Sequence, residues 1–264
     1  MTIAKKGKTL FDRLAIILSG KPVVYHHVPR CGGTTIARAF RLRYVLSQTS
    51  LNAVASVEIV KAMNPHIDGA DIYADVREFR DYLLLYLIES NICWISGHFR
   101  FSELAFERYQ GSYKFITVLR DPIHRFLSDY YANLGSTSHS GTKLSLEQYI
   151  DSVPGQMRGC VYSEYFSGLP AKSDFTSSDA VKKAIVNLKK LDLIGYTDQL
   201  RLFSSRASRL LGITVRVGHE NKGGKSGSRS AFDLSRDIKS KLEKTCEPDI
   251  KIYQAIRKLG SAEQ

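Results

Sequence analysis

Cysteine is scarce, four residues in a chain of 264. Cys31, Cys93, Cys160 and Cys246 stand too far apart for a Cys-x-x-Cys pair, which argues against zinc ribbons and dithiol redox motifs. No His-Glu-x-x-His occurs either, so no metal site is expected. The four read as free thiols of a reducing compartment. Long apolar runs are also missing. Residues 14–18 and 82–88 are the best candidates, and both fall well short of the roughly 20 residues that a membrane span needs. Behind Lys5, Lys6 and Lys8, the pair Asp12 and Arg13 interrupts the apolar stretch, which argues against a secretory signal. Residues 10–18 read instead as a short amphipathic helix docked on the body of the protein. A cytoplasmic location is the expectation, with peripheral contact to a membrane surface left open. Acidic residues are in deficit, 26 against 38 Lys and Arg, for a formal charge of +12. That excess implies an anionic partner without choosing one. Nucleic acid is not expected, because the cations are not gathered on a recognition helix and no nucleic-acid motif appears.

What is present suits a packed core: 43% of residues are hydrophobic, which excludes global disorder. Short apolar strands are expected at 23–28, 92–96, 115–119 and 191–196. Helical patterns fall at 34–45, 76–90, 125–134, 178–190, 199–211, 234–246 and 249–259. Ser145 and Gln148 form a capping box that opens another helix, running to residue 153. Strands alternating with helices give an α/β fold: a P-loop-like three-layer sandwich with a mostly parallel sheet covered by helices on both faces. The length suits a single domain over 1–264, with a helical extension at 1–20 and a flexible basic loop at 218–230. Ligands of such sheets bind at the carboxyl ends of the strands.

The stretch at that edge with the most chemistry follows the first strand. It reads Pro29-Arg30-Cys31-Gly32-Gly33-Thr34-Thr35. Glycines let consecutive N–H groups converge on an anion, and the opening helix adds its positive end. A nucleoside-triphosphatase loop needs Gly-x-x-x-x-Gly-Lys-(Ser/Thr). Here Thr34 follows Gly33, and the lysine is absent. A phosphate or sulfate group fits the loop, but in a different ligand. A P-loop-like kinase is the alternative enzyme, and a non-catalytic polyanion-binding protein the alternative of another class.

Three motifs share a family resemblance. His27-Val28-Pro29-Arg30-Cys31-Gly32-Gly33-Thr34-Thr35 resembles the His-(Ile/Val)-Pro-Lys-(Thr/Cys)-Gly-Gly-Thr-(Thr/Ser) loop of carbohydrate sulfotransferases. Arg120-Asp121-Pro122, followed by Arg125, Ser128, Tyr130 and Tyr131, resembles their Arg-Asp-Pro segment, with every one of these residues at the expected spacing. Ser96-Gly97-His98-Phe99 resembles the Gly-His loop between them. Similarity is greatest to the heparan sulfate 2-O-sulfotransferase branch and its bacterial relatives, and weaker echoes extend it over residues 22–258.

The resemblance implies 3′-phosphoadenosine 5′-phosphosulfate as donor, a carbohydrate or glycolipid hydroxyl as acceptor, itself anionic or not, and no metal. It implies that Arg30, Cys31, Gly32, Gly33, Thr34 and Thr35 cradle the 5′-phosphosulfate. Arg120 and Ser128 would clamp the 3′-phosphate, an arginine fork being well matched to phosphate oxygens. Asn221 and Lys222, in the basic loop, would join them. His98 is the expected base, with an ordinary pKa near neutrality, and Arg30 the cation that steadies the transferring group. Two departures stand out: Ser96 replaces a second loop histidine, and Arg30 replaces the family lysine. His26 and His27 read as one buried ring and one that backs the loop. His124, Gln156 and Arg158 are expected to face the acceptor.

Overall fold

A computed structural model describes residues 20–67, 69–137, 141–218 and 234–262. Five parallel strands make one sheet in the order β2-β3-β1-β4-β5. They are β1 (Val23–His26), β2 (Gln48–Ser50), β3 (Trp94–Gly97), β4 (Lys114–Leu119) and β5 (Leu193–Tyr196). The central strand, β1, is buried along its whole length, as a parallel strand covered on both faces must be. From β1 the chain builds β2 and β3 on one side, then crosses to build β4 and β5 on the other. That reversal is a topological switch point, and the carboxyl end of β1 opens onto it.

Helices α1 (Gly33–Arg41), α2 (Ala53–Met63) and α3 (Gly69–Glu89) precede β3, and α4 (Glu103–Tyr109) precedes β4. Then come α5 (Pro122–Asn133), α6 (Leu146–Asp151), α7 (Val153–Gly159), α8 (Val161–Phe166) and α9 (Ser178–Lys190). After β5 lie α10 (Leu200–Leu211), α11 (Arg236–Thr245) and α12 (Glu247–Ala262). Alternate residues of each strand feed two cores. Val24, Ile95 and Phe115 meet Leu84 of α3, Tyr162 of α8, Leu188 of α9 and Ile252 of α12. Val23, Tyr25, Trp94 and Ile116 meet Ile36 and Phe40 of α1 and Phe203 of α10. Phe40 stacks on Trp94 with ring centroids 4.4 Å apart, a contact worth about 1 kcal/mol beyond its buried area. The α/β sandwich is therefore as expected. The capping box at Ser145 and Gln148 is also present, in both directions.

Three local expectations shift. The first strand stops at His26, because the Cys31 N–H turns back onto the Val28 carbonyl at 3.3 Å and starts the loop early. β2 was not anticipated. Its residues are Gln-Thr-Ser and half-exposed, so it carries no apolar signal. α4, α7 and α8 are six or seven residues long, too short to display a helical period. The helical extension at 1–20 and the basic loop at 218–230 lie, but for Gly20 and Gly218, outside the described residues.

Candidate active site

The loop after β1 is built by two left-handed residues, Arg30 at φ 66° and Gly32 at φ 74°. Arginine pays for that conformation with backbone strain of about 1 kcal/mol or more. Gly32 is the N-cap of α1, and no side chain caps the helix. Among the described residues, the N–H groups of Gly32, Gly33, Thr34 and Thr35 have no backbone partner. Four free donors at the positive end of a helix form an anion cradle. The Cys31 N–H is spent within the turn, and its thiol is buried beneath the loop. Burial pushes that thiol up to about 11, so it stays protonated and unreactive. Thr34 is exposed and Thr35 buried.

Arg120, at the end of β4, donates from Nη1 to the Arg30 carbonyl at 3.4 Å. Arg30 Nε donates to Ser128 Oγ on α5 at 3.3 Å. Two loops and one helix thus bring Arg30, Arg120 and Ser128 into a single bonded group. Neither arginine has a carboxylate partner among the described residues. Burial, and then the proximity of Arg30, lower the Arg120 pKa, partly opposed by Cys31, Tyr162 and Asp121. Arg120 is held from below. Tyr162 accepts from its backbone N–H at 2.9 Å and donates to its carbonyl. Behind Tyr162, the wholly buried Arg125 and Asp249 face each other at 3.8 Å. Asp249 Oδ1 also accepts from the Tyr162 and Ser163 N–H groups at 2.8 and 3.2 Å. Burial lifts this carboxyl to about 7, against the pull of Arg125 and the two N–H groups. These residues couple α12, through α8, to the floor of the anion cradle.

His98 follows β3 on the opposite side of β1. Its Nδ1 donates to the His27 carbonyl at 2.7 Å. A carbonyl can only accept, so a proton sits on Nδ1, and Nε2 has no hydrogen-bond partner among the described residues. Burial pushes the His98 pKa down, partly opposed by that carbonyl and reinforced by Arg80 and Arg158. The ring is therefore neutral at physiological pH, as a base must be. It lies 4.6 Å from the His27 ring, centroid to centroid. His27 in turn fills the space above Gly33, where an added Cβ would fall 1.7 Å from Nε2. So His27 bridges the anion cradle and His98. Burial, with His98 nearby, holds its own pKa down at about 3, which keeps it uncharged. His26 is buried and bonds the Phe99 carbonyl at 3.1 Å.

Ser96 is buried and shares a hydrogen bond of 3.0 Å with Ser50 Oγ across β2 and β3. It fastens the sheet and offers no base. His124 is exposed on the first turn of α5, its N–H capped by Asp121 at 3.0 Å. The Gln156 amide is occupied, donating to the Ile150 carbonyl at 2.7 Å and Thr245 Oγ1 at 3.2 Å. Arg158 pairs with Asp129 at 3.2 Å and is close enough to lower the His98 pKa. The geometry thus gathers Arg30, Gly32, Gly33, Thr34, Thr35, Arg120 and Ser128 on one side and His98 with Arg158 on the other. Asn221 and Lys222 lie outside the described residues. Sequence reasoning missed Tyr162, which no motif announces. It also missed Arg80, whose signal was a basic pair with Arg77 on one half-buried helix face.

A family model described as the sulfotransferase family matches residues 14–259. The chain belongs to that family, and it is by family an enzyme of sulfuryl transfer. No curated protein matches it. Among the described residues no helix is long and apolar enough to cross a membrane.

Proposed function

We propose that the chain moves a sulfuryl group from 3′-phosphoadenosine 5′-phosphosulfate to a hydroxyl of a carbohydrate or glycolipid acceptor. We further propose a place in the heparan sulfate 2-O-sulfotransferase-like branch, as a bacterial-type member working in the cytoplasm as one domain. The single observation that carries this reading is the link from Gly33 through the His27 ring to His98. It joins an anion cradle to a neutral imidazole whose Nε2 is free.

The donor suits the residues available. It has two anionic ends, and the protein has two places to receive them: the four N–H groups of residues 32–35 with Arg30 beside them, and Arg120 with Ser128. The donor supplies an activated sulfuryl group on a phosphate leaving group. Positioning and charge stabilisation then do most of the work, as in phosphoryl transfer. His98 Nε2 takes the proton of the acceptor hydroxyl. Arg30 offsets negative charge on the leaving oxygen, and as an arginine it keeps its own proton. Arg120 and Ser128 hold the 3′-phosphate and fix the register of the donor.

The test is transfer of labelled sulfate from the donor to mixed glycan acceptors, with His98→Ala alongside. Wild-type transfer should fall by about 100-fold or more in the variant, while affinity for 3′-phosphoadenosine 5′-phosphate stays within about twofold. Equal turnover by the two proteins would remove His98 from the mechanism.

A further inference from the structure

The two helices on one face of the sheet carry charge of a single sign. α1 and α10 lie side by side there, Phe40 against Phe203 with ring centroids 6.4 Å apart. Residues 20–57, which hold α1, contain five Lys and Arg and no acid, and residues 199–217, which hold α10, contain four Arg and no acid. Burial of Ile36, Phe40, Phe203 and Ala207 turns the other sides of both helices outward. Arg38, Arg41 and Arg43 are exposed on α1 and just after it, and Arg201 and Arg209 on α10. Arg216 is exposed on the segment that returns beside α10, where Ser204 Oγ donates to the Val215 carbonyl at 2.6 Å. Arg43, Arg201, Arg209 and Arg216 have no carboxylate partner among the described residues. The opposite face differs, since α3 alone brings Asp71, Asp75, Glu78, Asp81 and Glu89.

A nucleotide in the anion cradle does not account for this field. Arg41 lies roughly 12 Å along α1 from Gly33, and Arg43 further still. Three apolar side chains stand among the cations on the turn after α1: Leu42 is 72% exposed, Val45 65% and Leu46 46%. A soluble polyanion has no use for them, because guanidinium groups alone meet its phosphates or sulfates. An anionic bilayer uses both. Arginines meet lipid phosphates, while apolar side chains enter the boundary between headgroups and acyl chains.

We propose that this face, α1 with the turn at 42–46 and α10, docks on a membrane surface that carries anionic lipid. The arginines meet the headgroup phosphates, and Leu42, Val45 and Leu46 enter the interface between them. The cradle opens at the carboxyl edge of the sheet, at the rim of the docked face. The inference stands apart from the sulfuryl-transfer reading, since it uses none of the residues placed in that site.

The test is co-sedimentation of the full chain with vesicles of phosphatidylcholine alone and of equimolar phosphatidylcholine and phosphatidylglycerol, with soluble dextran sulfate as a further probe. Wild type should bind the anionic vesicles at least about tenfold more tightly than the neutral ones. Arg43→Glu combined with Arg209→Glu should lower binding to the anionic vesicles by about tenfold or more. Leu42→Ser combined with Val45→Ser should lower it by about tenfold as well, yet leave dextran sulfate binding as in wild type. All four positions are exposed, so thermal unfolding should show both double variants folded. Equal binding of wild type to the two kinds of vesicle would overturn the proposal, as would undiminished vesicle binding in either folded variant. Loss in the arginine pair alone would assign the face to a soluble polyanion instead.

Discussion

His98 illustrates how much one side chain owes to its surroundings. A free histidine is about half protonated near pH 6.5. Here burial, helped by Arg80 and Arg158, depresses that value. The carbonyl of His27 keeps the remaining proton on Nδ1. The acid limb of kcat/KM should therefore lie below the ordinary histidine value of 6.5. In Arg80→Gln the limb should move upward, since one cation that opposes protonation is gone. A pH–rate profile of the two proteins checks this, and an acid limb at or above 6.5 in the wild type would contradict it. At this scale the residues with a motif could be picked out from the sequence: Arg30, His98 and Arg120 follow β1, β3 and β4, and Ser128 on α5 meets Arg30. The tautomer of His98 was not, because it depends on a backbone carbonyl 71 residues away.

The loop from β1 into α1 shows the same division at the scale of an element. Gly32 and Gly33 both looked like phosphate-loop glycines. The structure separates their duties. Gly32 is needed for its left-handed backbone, and an added Cβ there would meet nothing closer than 3.8 Å. Gly33 is needed because the His27 ring occupies the place of a Cβ, at 1.7–2.3 Å. Gly33→Ala should thus displace His27, and with it His98, rather than block the anion. Transfer should drop by an order of magnitude or more while the chain stays folded, with thermal unfolding and turnover measured together. A variant with unimpaired turnover would show that His27 does not bridge the two halves of the site. β2 lay beyond sequence reasoning for a plain reason. Its pairing with β3 places Ser50 opposite Ser96, so hydroxyls join where an apolar edge would have been conspicuous.

Across the whole molecule, the site is held by groups that must stay in one protonation state. His26 sits wholly buried, with burial lowering its pKa to about 4. The folded protein holds it neutral, whereas the unfolded chain takes up a proton below about 6.5. The stability it contributes is thus complete above pH 6.5 and is lost as the pH falls towards 4. By linkage this amounts to at most ~3 kcal/mol. Asp249 works in the other direction, its folded carboxyl being lifted to about 7, so the comparison must be made on one residue. His26→Gln should lose less stability than wild type between pH 7 and pH 5, read from denaturant midpoints. Identical losses would mean that His26 carries no pH dependence. Four of the five strands, most of the longer helices and the ligand edge could be anticipated from the apolar runs and their alternation with helical patterns. The scaffold beneath the cradle could not, because Arg125, Tyr162 and Asp249 meet only after α5, α8 and α12 have packed together.

In the proposed function, the Arg30, Arg120 and Ser128 group and the N–H groups of residues 32–35 form one site for a 3′-phosphorylated nucleotide. Calorimetric titration with 3′-phosphoadenosine 5′-phosphate, against AMP and ATP, addresses it most directly. The 3′-phosphorylated nucleotide should bind tightly and the other two weakly, and Arg120→Ala should lose about tenfold or more in affinity. Equal affinity for all three nucleotides, or an Arg120→Ala protein within twofold of wild type, would contradict it.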